Sequence, residues 1–186
     1  MISLSAWTFH DSAAQMPRIE AVRVIESGVY RAETIKRMDT PGTTGIVNIV
    51  ENIRLIANTT NILAHIGARF GLRYMPIGSP NGAAASLKLA VTFPRQGLRK
   101  PDTGEMLYRI EHVVSAEIGA TMYRDYAFEN DWEIVAGLWI FEFWSEDRKL
   151  GEQRFCVFDL RSSRQPVDRM MDCPSTFLDQ DRLLHR

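Results

Sequence analysis

Between Ile62 and Tyr74 the chain alternates with a period of two. Ile62, Ala64, Ile66, Ala68, Phe70, Leu72 and Tyr74 fall on one side, and Leu63, His65, Gly67, Arg69, Gly71 and Arg73 on the other. A helix scatters such residues around its axis, whereas an extended strand gathers them on one face against a core. The segment is therefore expected to be a strand. Ala85 to Phe93 repeats the pattern, with Ala85, Leu87, Leu89, Val91 and Phe93 inward and Ser86, Lys88, Ala90 and Thr92 outward. Arg18–Tyr30 is β-branched and aromatic, with a bulge or bend expected at Ser27-Gly28. Gly45–Ala57 and the run from Met106 to Val114 are further apolar stretches.

The segments between these runs are turn chemistry: Thr40-Pro-Gly-Thr-Thr-Gly45, Pro76-Ile-Gly-Ser-Pro-Asn-Gly82, and the stretch from Phe93 to Gly104. Short strands punctuated in this way, with no amphipathic helices between them, predict an all-β fold. The expectation is an antiparallel β-sandwich of about 7–9 strands. The domain would span residues 18–160, after an N-terminal extension over 1–17 and before a C-terminal tail or short helix over 161–186. Met16, just ahead of the first strand, makes residues 1–15 dispensable in this reading.

Trp132–Trp144 is apolar on both sides. Trp132, Ile134, Ala136, Leu138, Ile140 and Trp144 alternate with Val135, Trp139, Phe141 and Phe143, and Glu142 interrupts the first set. A half-solvated antiparallel strand is polar on one side. Read as a strand, this segment needs cover on its second face from a subunit partner, the C-terminal tail or a long loop. Ser145–Lys149 then reads as the charged turn of a hairpin.

The succession Glu26-Ser-Gly-Val-Tyr30, Gly67-Ala-Arg-Phe-Gly71, Phe93-Pro-x-x-Gly97-Leu98-x-x-Pro101 and Trp132-Glu-Ile-Val-Ala-Gly137-Leu-Trp139 resembles an uncharacterised bacterial family known only as a domain of unknown function. The resemblance covers roughly residues 18–160 and implies an immunoglobulin-like sandwich. It implies no catalytic residues.

Composition narrows the function classes. Net charge is −1, without the basic excess or stripe that grips phosphate backbones, so nucleic acid is not an expected partner. No window approaches a membrane span, and the N-terminus lacks a basic leader region, which makes the cytoplasm the default expectation. Cys156 and Cys173 are the two cysteines, and two reduced thiols in a reducing compartment are the plainer reading.

No nucleophile elbow, zinc spacing or phosphate loop is present, so neither catalysis nor a cofactor is expected. His65, Arg69 and Arg73 share the outward side of one predicted strand. They form a polar stripe, most simply solvated or paired with carboxylates on the next strand such as Glu111 or Glu117, and otherwise able to meet an acidic partner or a carboxylate ligand. Tyr123, Tyr126 and Trp132 flank a loop and are candidate stacking platforms for a small ligand or carbohydrate. Glu129, Asp131 and Glu133 are the nearest approach to a calcium site, although their spacing departs from the EF-hand loop and a solvated turn is the plainer reading. The leading expectation is a non-catalytic interaction module. It would form a homo-oligomer through an apolar sheet face, or bind an unidentified protein.

Overall fold

The computed structural model describes residues 16–40, 45–159, 161 and 173. Eleven strands follow in chain order: β1 Arg18–Thr40, β2 Gly45–Asn58, β3 Asn61–Ala64, β4 Arg69–Ser79, β5 Ala84–Thr92, β6 Leu98–Arg99, β7 Met106–Leu107, β8 Arg109–Glu117, β9 Met122–Ala127, β10 Gly137–Ser145 and β11 Arg148–Asp159. One four-stranded sheet runs β2-β1-β4-β9 and a five-stranded sheet runs β3-β11-β10-β5-β8. The β6–β7 hairpin stands apart from both. Pairing is antiparallel except between β3 and β11. The all-β sandwich of seven to nine principal strands is borne out, with nine strands in the two main sheets.

The inward residues behave as alternation predicts. Phe70, Leu72 and Tyr74 from β4 meet Leu87, Leu89 and Val91 from β5, and all six are buried. Trp139, Phe141 and Phe143 of β10 and Phe155 of β11 complete the layer between the sheets. Trp139 is its centre, with ring centroids of Phe93 and Tyr126 each 4.9 Å away. The indole N–H donates to the Val135 carbonyl at 2.9 Å, so the buried polar atom is satisfied.

Two expected strands are corrected. The alternation over 62–74 is divided between β3 and β4, which lie in different sheets, with a turn over 65–68. Gly67 adopts φ +87°, its N–H donates to the Phe128 carbonyl, and Ala68 N–H returns to the His65 carbonyl. The parity survives the turn, so Ala68 is buried, but Ile66 is 49% exposed at the bend. Trp132–Trp144 is not one strand either. Asp131–Glu133 form a 3-10 turn and the strand begins at Gly137.

The expected pair of reduced thiols is also corrected. Cys156 and Cys173 form a disulfide, their Cα atoms 5.7 Å apart across a sequence separation of 17. Cys156 lies on the outer side of β11, opposite Leu138 of β10. Sequence alone does not say that the tail returns to this spot. The expected tail or short helix beyond residue 160 lies outside the described residues, Arg161 and Cys173 excepted.

Candidate functional site

The outer face of the four-stranded sheet gathers three of the six residues singled out from sequence. Gly28 of β1, Gly71 of β4 and Asp125 of β9 stand in one cross-strand row. A Cβ on Gly71 would lie 2.2 Å from the Arg124 carbonyl oxygen, so only glycine lets β4 approach β9 here. Over this low floor Arg69 reaches from β4 to pair with Asp125, the two side chains 10% and 15% exposed. Tyr123 donates its hydroxyl to the same carboxylate at 3.2 Å and meets Tyr30 edge-on at 5.0 Å. Burial first, and the Asp125 carboxylate second, push the Tyr123 hydroxyl pKa above its ordinary value. Arg73 pairs with Glu26 at 3.5 Å and donates to the Ile53 carbonyl of β2 at 2.9 Å. Arg69 and Arg73 thus pair with β9 and β1, not with Glu111 or Glu117. Those two lie on β8, which belongs to the other sheet.

The other three candidates disperse. His65 sits exposed in the 65–68 turn, its Nδ1 2.9 Å from the Ile66 carbonyl. Tyr126 points inward and is only 6% exposed, among Phe70, Phe93, Phe128 and Trp139. Trp132 is partly buried against the core. The stacking platform expected of Tyr123, Tyr126 and Trp132 is not assembled.

The three loop carboxylates also diverge. Glu133 is buried and accepts from the Glu129 backbone N–H at 3.0 Å and the Asn130 amide at 2.9 Å. Burial raises its pKa, and those two hydrogen bonds oppose the rise. Glu129 faces Arg37 at 3.7 Å, and Asp131 pairs with Arg161. Among the described residues no group of three or more His, Cys, Asp or Glu side chains is placed to hold a metal ion.

The outer side of β10 is less apolar than the sequence implied. Leu138 and Ile140 are half-buried, while Glu142 organises an ionic cluster. Its carboxylate accepts from the Thr92 hydroxyl at 2.9 Å and pairs with Lys149 at 2.8 Å and with Arg109. Burial pushes Glu142 up, but the three donors outweigh it and hold the carboxyl below its usual range. The cations of Arg109 and Lys149 lie 5.6 and 5.8 Å from the Trp144 ring centroid. Beyond Trp144 opens a cleft of about 1060 Å³, lined among others by Lys88, Val113, Trp144 and Arg148. The Trp144 Nε1 has no hydrogen-bond partner among the described residues.

Between the sheets, where β8 faces β9, His112 and Arg124 turn inward together. The His112 Nδ1 and the Arg124 Nε are sealed from solvent without a hydrogen-bond partner among the described residues. Burial, and then the Arg124 charge, push the His112 ring from 6.5 down to about 4.

A fourth surface was missed in the sequence. Strand β1 pairs with β4 only as far as Val29, opposite Phe70, and from Tyr30 onward its sheet partner is β2 alone. Glu33 to Arg37 are exposed without alternation, so this part of the ribbon stands clear of the opposite sheet. Ile35, Ile49 and Ile56 are 57%, 39% and 56% exposed. Strand β2 forms the outer edge of its sheet and, at 14 residues, exceeds the other edge strands β3, β8 and β9. A two-stranded ribbon is marginal in water by itself, and a long uncovered edge offers its backbone to another strand. The available signal was the Ile- and Val-rich run from Gly45, which reads as an ordinary core strand until its pairing is known.

Comparison with known proteins adds the fold family. A family model described as a domain of unknown function, DUF3859, matches residues 18–157. An immunoglobulin-like protein of known structure from Pseudomonas aeruginosa is similar at 28% sequence identity and a TM-score of 0.54, covering 79% of this chain and 100% of that one. No curated protein matches. The resemblance drawn from the glycine, proline and aromatic motifs is thereby borne out, as is the immunoglobulin-like character of the sandwich. No helix among the described residues is long and apolar enough to cross a membrane.

Proposed function

This chain belongs to that family of immunoglobulin-like domains of unknown function, and from that premise we propose that it is a non-catalytic interaction module that self-associates through the apolar ribbon of its four-stranded sheet. One observation carries the reading: past Val29 the β1–β2 pair continues without β4, its isoleucines are exposed, and the outer edge of β2 has no strand partner among the described residues. Exposed apolar groups along an unpaired strand are costly unless a partner covers them. The outer side of β10, expected to be the adhesive face, is a weaker candidate because Glu142 and its cations already satisfy one another there. Light scattering between about 1 and 100 µM tests the proposal, since association of this kind falls in the micromolar range or tighter. A mass that stays monomeric throughout removes it.

A small-ligand reading keeps one foothold, moved from the loop aromatics to Trp144. The cleft beside it carries Lys88 and Arg148 next to the Trp144 ring, a combination suited to an anionic group next to an apolar body. Titration with aromatic carboxylates, followed by Trp fluorescence in wild type and Trp144→Phe, tests it. A signal unchanged by the substitution dismisses the cleft.

A further inference from the structure

The charges along β2 identify the ribbon's partner. Within the β1–β2 pair, Glu33 stands opposite Glu51 and Arg31 stands opposite Arg54. Like charges directly opposite one another destabilise an antiparallel pair. Neither Glu51 nor Arg54 forms an ion pair among the described residues, and both are exposed. The Asn52 amide donates to Glu33 at 2.8 Å, but neither like-charge pair has a countercharge among the described residues.

A bulge sits between them. Two steps on β1, from Arg31 to Glu33, face three on β2, from Glu51 to Arg54, and Asn52 takes φ +53°. The extra residue resets the alternation, so Glu51 and Arg54 lie on the same side of the sheet although they are three apart. Val50, Ile53 and Leu55 are more buried than the exposed Ile49, Glu51, Arg54 and Ile56.

We propose, building on the self-association reading above, that β2 pairs antiparallel with β2 of a second copy about a twofold axis passing between Asn52 and Ile53. This register sets Glu51 against Arg54 of the second copy, and Arg54 against its Glu51. It also places Ile49 opposite Ile56 and Val50 opposite Leu55, so exposed isoleucines meet each other. Each row across the four strands then runs Glu33, Glu51, Arg54 and Arg31, so the two inner charges of opposite sign face each other across the axis and each like-charge pair gains a countercharge. The bulge, which would spoil an arbitrary edge pairing, falls on the axis, where each copy's irregularity meets its own image. A symmetric interface must be self-complementary, and β2 is so in this register.

Charge reversal separates this interface from a structural effect. Glu51→Arg and Arg54→Glu each replace an intrachain like-charge pair by an opposite-charge pair, so neither should lower the urea midpoint of the monomer. Each should nevertheless weaken the dimer at least about tenfold, through like-charge contacts across the axis. The double variant Glu51→Arg/Arg54→Glu restores opposite charges across the axis and should recover most of the affinity lost in either single variant. Sedimentation velocity on the full chain reads all four proteins. A monomeric wild type overturns both this pairing and the self-association reading. A wild-type dimer that tolerates both single reversals, or single losses that the double variant does not rescue, overturns the β2 register and leaves self-association through another surface.

Discussion

Replacing Asp125 by Ala tests whether the Arg69 pair belongs to the interior or to the surface. The two side chains are 10% and 15% exposed. Removing the carboxylate leaves the guanidinium with a weak contact to the Thr34 hydroxyl at 3.4 Å, and it also strips the Tyr123 hydroxyl of its acceptor. Orphaning a buried charge typically costs about 3–5 kcal/mol, whereas an exposed pair contributes about 0–1 kcal/mol. Because the outer edge of the cluster still touches solvent, a loss near the lower limit, about 3 kcal/mol, is expected. At a urea dependence of about 2 kcal/mol per molar, the unfolding midpoint falls by about 1.5 M with an unchanged slope. The double variant Arg69→Met/Asp125→Leu removes both charges while keeping apolar volume, and it should recover to within about 1 kcal/mol of wild type. A single-variant shift below about 0.5 M, or a double variant no better than the single, refutes the orphaned-charge account.

Two further outcomes follow from the fold. Denatured without reductant, the protein should take up no thiol-alkylating reagent, and it should take up two equivalents after reduction; Cys173→Ser should lower stability by about 3 kcal/mol, the entropy of closing a loop of this length. The folded His112 ring binds its proton more weakly than the unfolded one, so stability is full above the unfolded value of 6.5 and is lost as pH falls from 6.5 towards 4. The loss is at most about 3 kcal/mol, less to the extent that water reaches the ring. Melting temperatures at pH 7, 6 and 5, above the carboxylate range, should decline in wild type and stay nearly level in His112→Gln. Parallel declines would show that another group is responsible.

The layers of the sandwich were legible because residues facing the core recur at every second position, as Phe70, Leu72 and Tyr74 do in β4 and Leu87, Leu89 and Val91 in β5, although Ala90 on the expected outward side of β5 is buried as well. Junctions were less legible. Ala68 keeps the inward parity of Ile62 and Ala64 through a tight turn, so one uninterrupted pattern conceals a change of sheet. Trp132 and Ile134 look like strand residues because they too face the core, yet an aromatic anchors a 3-10 turn to that core as readily as a strand does. Arg69, Arg73 and Tyr123 were identified as polar or aromatic surface features, but their partners were not. Whether Arg69 meets Asp125 or Glu111 depends on which strand lies beside β4, and alternation carries no information about neighbours. Glu142 shows the converse. A single acid in an apolar run looked like an exception to a sticky face, and it is the residue around which Thr92, Arg109 and Lys149 assemble.

What distinguishes the ribbon from the other surfaces is that its charges are set against one another. On the outer side of β10 and on the Gly28–Gly71–Asp125 row, acids and bases from adjacent strands meet within the chain, and nothing further is required of a partner. Along β1 and β2 the register opposes acid to acid and base to base. That register depends on bulges, with shifts at Val29/Tyr30, Arg31/Glu33 and Thr34/Lys36. The same irregularities limit how a second strand can join the edge. A flat, uncharged edge accepts many registers and grows open stacks. An edge broken near its middle, with Glu51 on one side of the break and Arg54 on the other, favours the single register in which both ends are matched. A pairing of that kind closes on itself after two copies, because each β2 edge is consumed by the other.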